Sequence, residues 1–313
     1  LGAAAIIATM AFFNMSHYKM LAPKFWPSWL LVAMAWLIAR LPLSWILSLG
    51  KLLGRLAYRV AGSRRHIAEV NIKLCFPELS EAERTQLVKD NLLHTGMGLT
   101  EATIPWLNPK RDFRKQTSVI GLEHLDEAKA AGKGVVLLGG HYTCIDITCQ
   151  PLGDADIDVM YRANKNLVWE WLQVRGRSHF FDHVVERNDM RRTLSLLKSG
   201  RALWYAPDQD YGRKHSVFAP FFNQPAATIR ATSRLAKATG AKVLMLSAFR
   251  DVDRAHWTLT FDPVFENFPS GDDIADASRI NQLLETRIRS HPAQYLWVHR
   301  RFKTRPDGAP PVY

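Results

Sequence analysis

No acidic residue occurs in this 313-residue chain before Glu69. The same stretch carries eight basic residues: Lys19, Lys24, Arg40, Lys51, Arg55, Arg59, Arg64 and Arg65. Tryptophans are interleaved with these cations, a combination typical of segments that attach to the anionic cytoplasmic surface of a membrane. A basic segment can also bind nucleic acid, but the tryptophans favour anionic membrane lipids, and we expect no nucleic-acid partner.

Cysteine is scarce, with Cys75, Cys144 and Cys149 as its three occurrences. An odd number of cysteines gives no even disulfide framework, and none of them has the Cys-x2-Cys spacing of a zinc site. We therefore expect reduced thiols in a cytosolic compartment. The chain also shows no internal repeat and no low-complexity tract, which excludes repeat architectures.

A clean run of about twenty apolar residues, which a membrane-spanning helix needs, is also missing from the N-terminal segment. Residues 26–49 are apolar apart from Arg40 and a few serines, and they include Pro27 and Pro42. Either one helix spans the membrane with Arg40 near the cytoplasmic interface, or the segment lies in the interface as an amphipathic anchor. We favour a single anchor with the basic residues 51–65 on the cytoplasmic side. A cleaved signal peptide is not expected.

After residue 80 the pattern changes to alternating strands and helices. Ser80 and Glu83 form a capping box that predicts a helix extending towards residue 103. Strands are predicted at 117–120, 134–138, 157–161, 183–185, 202–205, 242–248 and 257–261, and helices at 125–131, 167–176, 190–198, 226–238 and 274–290. The alternation predicts an α/β fold with a mostly parallel central sheet flanked by helices, and an N-terminal membrane-anchoring helix. We expect an anchor over residues 1–65 and an α/β domain over residues 66–313.

The first block that carries chemistry is residues 134–146, where an apolar strand ends in two glycines directly before His141. Such strands open onto the C-terminal edge of a sheet, where ligands usually bind. Asp146 follows five residues later and would orient His141 as a general base. For an isolated pair of this kind, a surface histidine beside a helix-capping aspartate is the more common arrangement, and two further blocks shift the balance.

The second block, residues 204–212, runs from a strand into a loop that contains Asp208 and Asp210. Two carboxylates at this spacing are compatible with a metal–nucleotide site of the glycosyltransferase type, with a role in orienting an arginine, or with simple turn formation. The third block, residues 292–306, ends with four cations that either face solvent or meet an acidic ligand: Arg300, Arg301, Lys303 and Arg305.

Taken together, these blocks resemble the late acyltransferases of lipid A biosynthesis, within the lysophospholipid acyltransferase superfamily. Residues 160–162, 171–177, 206–214, 216–222 and 294–306 are similar in order and spacing to the lauroyl-transferring branch. Many members of that branch carry Glu at the position of Asp146, and both carboxylates fit the His-x4-Asp/Glu pattern of the superfamily. The similarity covers residues 45–313.

The resemblance implies transfer of a fatty acyl group from acyl carrier protein to a hydroxyl of a Kdo-bearing lipid A precursor. The reaction would take place at the cytoplasmic face of the bacterial inner membrane, without cofactor or metal and with acyl carrier protein as co-substrate. His141 would be the general base and Asp146 its orienting partner. Cys144 is the alternative nucleophile, although a small buried cysteine is more often core filler.

The resemblance also implies substrate-binding residues. Arg177 would bind acceptor phosphate or developing oxyanion charge, and Asp208 would pair with such an arginine or with a substrate hydroxyl. Arg187 and Asp210 are further substrate-binding candidates, Arg187 as a phosphate ligand or a surface cation. The acyl pocket cannot be located from the pattern; Phe218, Phe221 and Phe222 are its candidates, although core packing is the more common role for any one of them.

Two other functions remain open at this point. One is a membrane-associated, metal-dependent glycosyltransferase that uses Asp208 and Asp210. The other is a non-enzymatic basic membrane scaffold, which would leave His141, Asp146 and Asp208 without a role.

Overall fold

The computed structural model describes residues 19–313 and consists of alternating strands and helices after residue 116. The helices are α1 (Trp26–Ile38), α2 (Leu43–Val60), α3 (Gly62–Cys75), α4 (Glu81–Glu101), α5 (Thr103–Leu107), α6 (Leu122–Ala130), α7 (Cys149–Asp154), α8 (Leu167–Arg177), α9 (Met190–Lys198), α10 (Ala231–Thr239) and α11 (Asp273–Ser290). The strands are β1 (Thr117–Ile120), β2 (Val135–Gly139), β3 (Ile157–Tyr161), β4 (Val184–Glu186), β5 (Ala202–Tyr205), β6 (Ser216–Phe221), β7 (Gln224–Ile229), β8 (Lys242–Asp251) and β9 (His256–Phe261).

A seven-stranded sheet forms the centre of the fold, in the order β1-β9-β8-β2-β5-β3-β4. Neighbouring strands in it are parallel except for β8 and β9, which are antiparallel. β2 and β5 lie side by side and are buried along their full length, as expected for strands that are covered on both faces. The predicted α/β fold with a mostly parallel central sheet flanked by helices is confirmed.

The two faces of the sheet carry separate hydrophobic clusters. In β2, Val136 and Leu138 belong to one cluster, whereas Val135 and Leu137 belong to the other. This division follows from the period of two along a strand, which points successive side chains to opposite faces. The continuous apolar run of β2 therefore packs into the hydrophobic clusters on both faces of the sheet.

The strand predictions agree with the structure, and one predicted helix is partly wrong. The strands at 117–120, 157–161 and 202–205 match without change, and the other four are shifted or extended by a few residues. The helix predicted at 226–238 begins only at Ala231, because residues 226–229 pair with β6 as part of β7. Phe222 and Asn223 have positive φ angles of 49° and 58° and form the turn between β6 and β7. Cross-strand pairing thus overrides the helix propensity of the alanines.

The predicted N-terminal anchor contains two helices. Its first residues, 1–18, lie outside the part of the chain that the structure describes. Residues 26–49 do not form one continuous helix: α1 ends at Ile38, and α2 begins after Pro42, which cannot occupy a helix interior. The membrane-anchoring role of this segment stays a prediction. Within residues 19–313, none of the helices combines the length and apolarity that crossing a membrane demands.

Helix α2 packs closely against α4 through glycines. A Cβ atom on Gly96 of α4 would lie 2.3 Å from the carbonyl oxygen of Gly50 and 2.6 Å from the nitrogen of Gly54, both in α2. Ile46 and Leu47 of α2 then join Met97 of α4 in the hydrophobic cluster on one face of the sheet. The second half of the anchor segment is therefore part of the folded core.

Helix α4 begins at the predicted capping box. The Ser80 hydroxyl accepts a hydrogen bond from the backbone N–H of Glu83, and the Glu83 carboxylate accepts one from the backbone N–H of Ser80. The predicted boundary between anchor and domain, after residue 65, falls inside α3. The division into two domains stays a prediction.

We expect Gly96→Ala to lower the free energy of unfolding by about 1–3 kcal/mol, because the methyl group would force α2 and α4 apart. Gly62→Ala is the matched control: a Cβ at the exposed start of α3 meets no atom within 4 Å, and alanine should be neutral or stabilise by up to about 1 kcal/mol. Thermal and denaturant unfolding measure both. Equal stability of the two variants would contradict the close α2–α4 contact.

Candidate active site

The site lies at the C-terminal ends of β2 and β5, which are parallel neighbours. The first block places His141 just after β2, and the second places Asp208 three residues after β5. Because the carboxyl ends of parallel strands meet at one edge of the sheet, residues that are 67 positions apart in sequence come into contact. The expected position of both blocks at this edge is confirmed.

The partner of His141 is Asp208. The Nδ1 atom of His141 lies 2.5 Å from Oδ1 of Asp208, and the backbone N–H of His141 donates to Oδ2 of the same carboxylate at 2.8 Å. The prediction that Asp146 holds the imidazole is wrong, because its carboxylate binds Arg177 instead. With Nδ1 held by Asp208, Nε2 is the nitrogen of His141 that can accept a proton.

Burial and charge shift the pKa values of this pair in opposite directions. The Asp208 side chain is 0% exposed and that of His141 is 30% exposed. Burial disfavours the imidazolium, but the Asp208 carboxylate outweighs this effect and raises the pKa of His141 above its usual value. Burial also opposes ionisation of Asp208, whereas His141 and a hydrogen bond from the Tyr295 hydroxyl lower the pKa of that carboxyl. Asp208 is therefore the anionic partner of the imidazole.

A C-terminal segment, residues 294–296, holds the histidine loop from the other side. The N–H of Leu296 donates to the carbonyl of His141 at 2.9 Å, and the N–H of Thr143 donates to the carbonyl of Gln294 at 2.8 Å. The side-chain amide of Gln294 in turn bonds both the N–H and the carbonyl of Arg250 in β8, each at 2.8 Å. The third block thus contributes backbone and amide groups that fix the position of His141. The sequence pattern of this block is its run of cations, and it does not predict the role of these backbone and amide groups.

Asp146 and Arg177 form a second pair beside the first. Asp146 lies in a short 3₁₀ turn, Ile145–Thr148, and Arg177 is the last residue of α8. Nη2 of Arg177 donates to Oδ1 of Asp146 at 3.0 Å, with side-chain exposures of 15% and 25%. Of the two partners expected for Asp208, the arginine is not observed, because Asp208 pairs with His141 and Arg177 with Asp146. The other expected partner, a substrate hydroxyl, stays a prediction.

A polar cavity of about 310 Å³ opens on one side of these pairs. Its lining includes His141 and Asp146 together with three arginines, Arg162, Arg177 and Arg187. The structure thus brings Arg177 and Arg187 to one cavity, as a shared role in substrate binding requires, and adds Arg162. The Arg187 guanidinium lies 5.7 Å from the ring centroid of Tyr211, which also lines the cavity. Converging guanidinium groups suit phosphate or carboxylate oxygens.

An apolar cavity of about 390 Å³ opens on the other side of the same residues. His141 and Asp146 belong to its lining, and the remaining walls come mainly from α4, α5 and α8. Apolar side chains of these walls are Leu99, Ala102, Trp106, Leu107, Trp169 and Leu172. Spacing alone could not find this cavity, because its residues come from distant helices that meet only in the fold.

The phenylalanine candidates for an acyl pocket lie elsewhere. Phe221 and Phe222 are buried in the hydrophobic cluster on the opposite face of the sheet from Met97. Their rings contact each other, and that of Phe222 also contacts Trp297. Phe218 lies in β6 beneath the guanidinium of Arg213. None of the three lines the apolar cavity. The burial of Phe221 and Phe222 agrees with the alternative interpretation of this motif, which is core packing.

Asp210 forms hydrogen bonds within the loop after β5 and with the C-terminal segment. Its carboxylate accepts hydrogen bonds from the N–H and hydroxyl of Thr304, at 2.6 and 2.8 Å, and from the N–H of Gly212. It therefore ties the loop after β5 to the C-terminal segment, whereas Asp208 turns towards His141. Residues 19–313 contain no group of three or more histidine, cysteine or acidic side chains placed to hold a metal ion.

Cys144 is a buried core residue. Its thiol donates a hydrogen bond to the carbonyl of Ala248 at 3.3 Å, and burial raises its pKa to about 12. A thiol with that pKa is protonated at neutral pH, and the thiolate is the nucleophilic form. The geometry does not support Cys144 as the nucleophile.

The fold is of the α/β class, and its site combines a histidine–aspartate pair with one apolar cavity and one cavity lined by arginines. The family model of the bacterial lipid A biosynthesis acyltransferases matches residues 15–304 of this sequence. The chain belongs to this family.

Individual relatives agree with that assignment. The chain is 38% identical to the lipid A biosynthesis lauroyltransferase of Escherichia coli K12 over 296 residues, which cover 94% of this chain and 97% of that protein. It is 36% identical to the lipid A biosynthesis palmitoleoyltransferase of the same organism over 302 residues, with the same coverage. A lipid A biosynthesis acyltransferase of Haemophilus influenzae is 34% identical over 296 residues, 93% of this chain and 94% of that protein. The resemblance seen in the sequence is confirmed, and the protein is an acyltransferase.

We expect Asp208→Asn to reduce kcat/KM by on the order of 10³-fold or more, because the imidazole loses its anionic partner and its correct tautomer. A base works in its neutral form, so kcat/KM of the parent should fall as the pH drops through the raised pKa of His141. Removing the carboxylate lowers that pKa, and the acidic limb of the profile should move to lower pH.

The matched control is Asp146→Asn, which removes a carboxylate that contacts Arg177 and not the imidazole. Its acidic limb should move less than that of Asp208→Asn, since Asp146 raises the pKa of His141 only through space. A larger shift in Asp146→Asn than in Asp208→Asn would show that the pairing described above is not the functional one.

Proposed function

We propose that this protein transfers a fatty acyl group from acyl carrier protein to a hydroxyl of a Kdo-bearing lipid A precursor, with His141 as the general base. One observation carries the proposal. His141 and Asp146 line two cavities of opposite character, one apolar and one rich in arginine. An acyl chain suits the first and a phosphorylated sugar suits the second, so the two substrates meet at Nε2 of His141.

The proton follows a simple path in this arrangement. The acceptor hydroxyl gives its proton to Nε2 of His141 while its oxygen attacks the thioester carbonyl carbon. The tetrahedral intermediate collapses, the carbon–sulfur bond breaks, and the imidazolium returns the proton to the departing thiolate. The products are an ester and the free thiol of the carrier protein. No covalent acyl-enzyme is needed, which agrees with the protonated, buried state of Cys144.

The carboxylates divide the work of holding the reacting groups. Asp208 fixes the tautomer of His141 and stabilises the imidazolium that forms during attack. Asp146 orients Arg177, which also lines the polar cavity. Arg177 then binds an acceptor phosphate or the developing oxyanion, together with Arg187 and Arg162. A planar guanidinium held by one carboxylate is preorganised for a second anion.

The exposed apolar face of α1 and α2 supports a membrane location. Large apolar side chains with at least 38% exposure occur on both helices and are Trp26, Leu30, Leu31, Met34, Trp36, Leu37, Trp45, Leu52, Leu53, Leu56 and Val60. An apolar surface of this extent marks a membrane or protein contact. Arg55 and Arg59 lie on α2 beside these side chains and are exposed. We infer that the two helices lie in the interface of the bacterial inner membrane, on its cytoplasmic face, in contact with anionic lipids.

The transfer is tested with His141→Ala. We expect this variant to lose about 10²–10⁴-fold in turnover when incubated with a Kdo-bearing lipid A precursor and a panel of acyl carrier proteins, with the products identified by mass spectrometry. The panel also shows which chain length is transferred.

The control is His183→Ala. His183 is also a histidine paired with a buried aspartate, since its Nδ1 lies 3.0 Å from Oδ1 of Asp158. It precedes β4 and so lies at the opposite edge of the sheet. Activity of His183→Ala should stay close to that of the parent. Near-parent turnover in a folded His141→Ala protein would rule out His141 as the base.

Membrane attachment is tested by separating the apolar from the charged contribution. Replacing Trp26, Leu30 and Leu37 with serine should weaken binding to neutral and anionic vesicles alike, because the inserted apolar area is lost. Neutralising Arg55 and Arg59 with glutamine should weaken binding to anionic vesicles alone, by about 1 kcal/mol per cation.

Vesicle sedimentation at low and high salt measures both effects. The loss in the Arg55→Gln/Arg59→Gln variant should disappear at high salt, since screening removes the same interaction from the parent. Full co-sedimentation of the serine variant with neutral vesicles would place the membrane contact on another surface.

A further inference from the structure

A third cavity, of about 450 Å³, lies on the far side of α8 from the arginines of the polar cavity. It is bounded by the end of α1, residues 108–110 and the outer side of α8. Its charged lining consists of Arg40, Lys110 and Arg175, with His179 beside them. Among the described residues that line it, none is acidic.

The two arginines are held by indole rings. The Arg40 guanidinium lies 3.5 Å from the ring centroid of Trp36, and its Nη1 donates to the carbonyl of the same residue at 2.7 Å. The Arg175 guanidinium lies 5.2 Å from the ring centroid of Trp171. Within residues 19–313, Arg40, Lys110 and Arg175 form no ion pair with an acidic side chain. A guanidinium that is stacked on an indole keeps most of its N–H edge available for an anion.

The position of the cavity identifies the kind of anion. Trp36 lines it and is also 45% exposed on the apolar face of α1, so its mouth lies where we place the membrane interface. Trp106, Leu107 and Leu172 separate it from the apolar cavity and belong to the walls of both. With α1 in the interface, as we propose above, the cations lie near the lipid headgroups and beside apolar walls.

We propose that Arg40, Lys110 and Arg175 form a binding site for the phosphate group of a membrane lipid, distinct from the polar cavity at His141. A phosphate offers several oxygens to two guanidinium groups and an ammonium group at once. Two sources share this chemistry. One source is an anionic phospholipid. The other is a second phosphate of the acceptor, one that is not bound in the polar cavity, and this source rests on the proposed function.

Binding is tested without catalysis, by native mass spectrometry of the full chain in micelles of a neutral detergent, where no charged bilayer contributes. The probes are phosphatidylglycerol and, as the uncharged analogue, diacylglycerol. We expect the parent to retain phosphatidylglycerol and not diacylglycerol, and Arg40→Gln/Arg175→Gln to retain at least tenfold less phosphatidylglycerol. Arg191→Gln/Arg192→Gln removes the same charge from the exposed side of α9, away from the cavity, and should retain the parent amount.

A second arm distinguishes the acceptor from a bystander lipid. KM is measured in the same micelles for the acceptor and for the acceptor with one phosphate removed. If the acceptor phosphate occupies the site, Arg40→Gln/Arg175→Gln should raise KM for the intact acceptor about tenfold and leave KM for the dephosphorylated one unchanged. If a phospholipid occupies it, retention falls while both KM values stay as in the parent. Either result supports the site.

The proposal fails if Arg40→Gln/Arg175→Gln retains phosphatidylglycerol and keeps the parent KM, or if Arg191→Gln/Arg192→Gln loses as much. Lys110→Gln, a single change at an exposed residue, replaces the double variant if that protein does not fold and should lose about threefold in retention. A parent protein without transferase activity would refute the proposed function and still leave the retention experiment decisive for this site.

Discussion

The buried carboxylate of Asp208 is the constraint on which the site depends. A carboxylate without solvent contact costs several kcal/mol unless hydrogen-bond donors surround it. Here the donors are the N–H and Nδ1 of His141 and the hydroxyl of Tyr295. These groups come from the end of β2 and from the C-terminal segment 294–296, which the backbone bonds of Thr143 and Leu296 join to each other. The position of the His141 imidazole is therefore fixed by the same contacts that compensate a buried charge.

Helix α4 links this edge of the sheet to helix α2. On one side, Gly96 lets α2 approach to backbone contact. On the other side, a Cβ on Gly98 would lie 1.9 Å from the carbonyl oxygen of Thr143, so α4 also touches the histidine loop directly. The apolar cavity opens between α4 and its neighbours α5 and α8. The walls of the apolar cavity are therefore in direct contact with the loop that carries His141.

The sequence predicted the sheet well and the pairing within the site poorly, for a physical reason. A buried parallel strand such as β2 has a local sequence pattern, an apolar run that ends in glycines. The capping box of α4 is also a local sequence pattern. Contacts between the ends of neighbouring strands join residues that are far apart in the sequence, and no local pattern predicts them. The spacing of His141 and Asp146 suggested one helical turn, but the chain between them is not helical, and the 3₁₀ turn at Ile145–Thr148 directs Asp146 to Arg177. Asp208 reaches His141 because β5 is the parallel neighbour of β2 in the sheet.

Exposure explains why each carboxylate has the partner that it has. Asp208 is 0% exposed and holds an imidazole, a group that can bind and release a proton. Asp146 is 25% exposed and holds a guanidinium, which keeps its charge and also lines the polar cavity. Exchanging the two would place the histidine beside a more solvated carboxylate, which has less influence on its pKa. His141 and Asp146 therefore line the same cavity without a direct bond between them, and Asp146 holds Arg177 at that cavity.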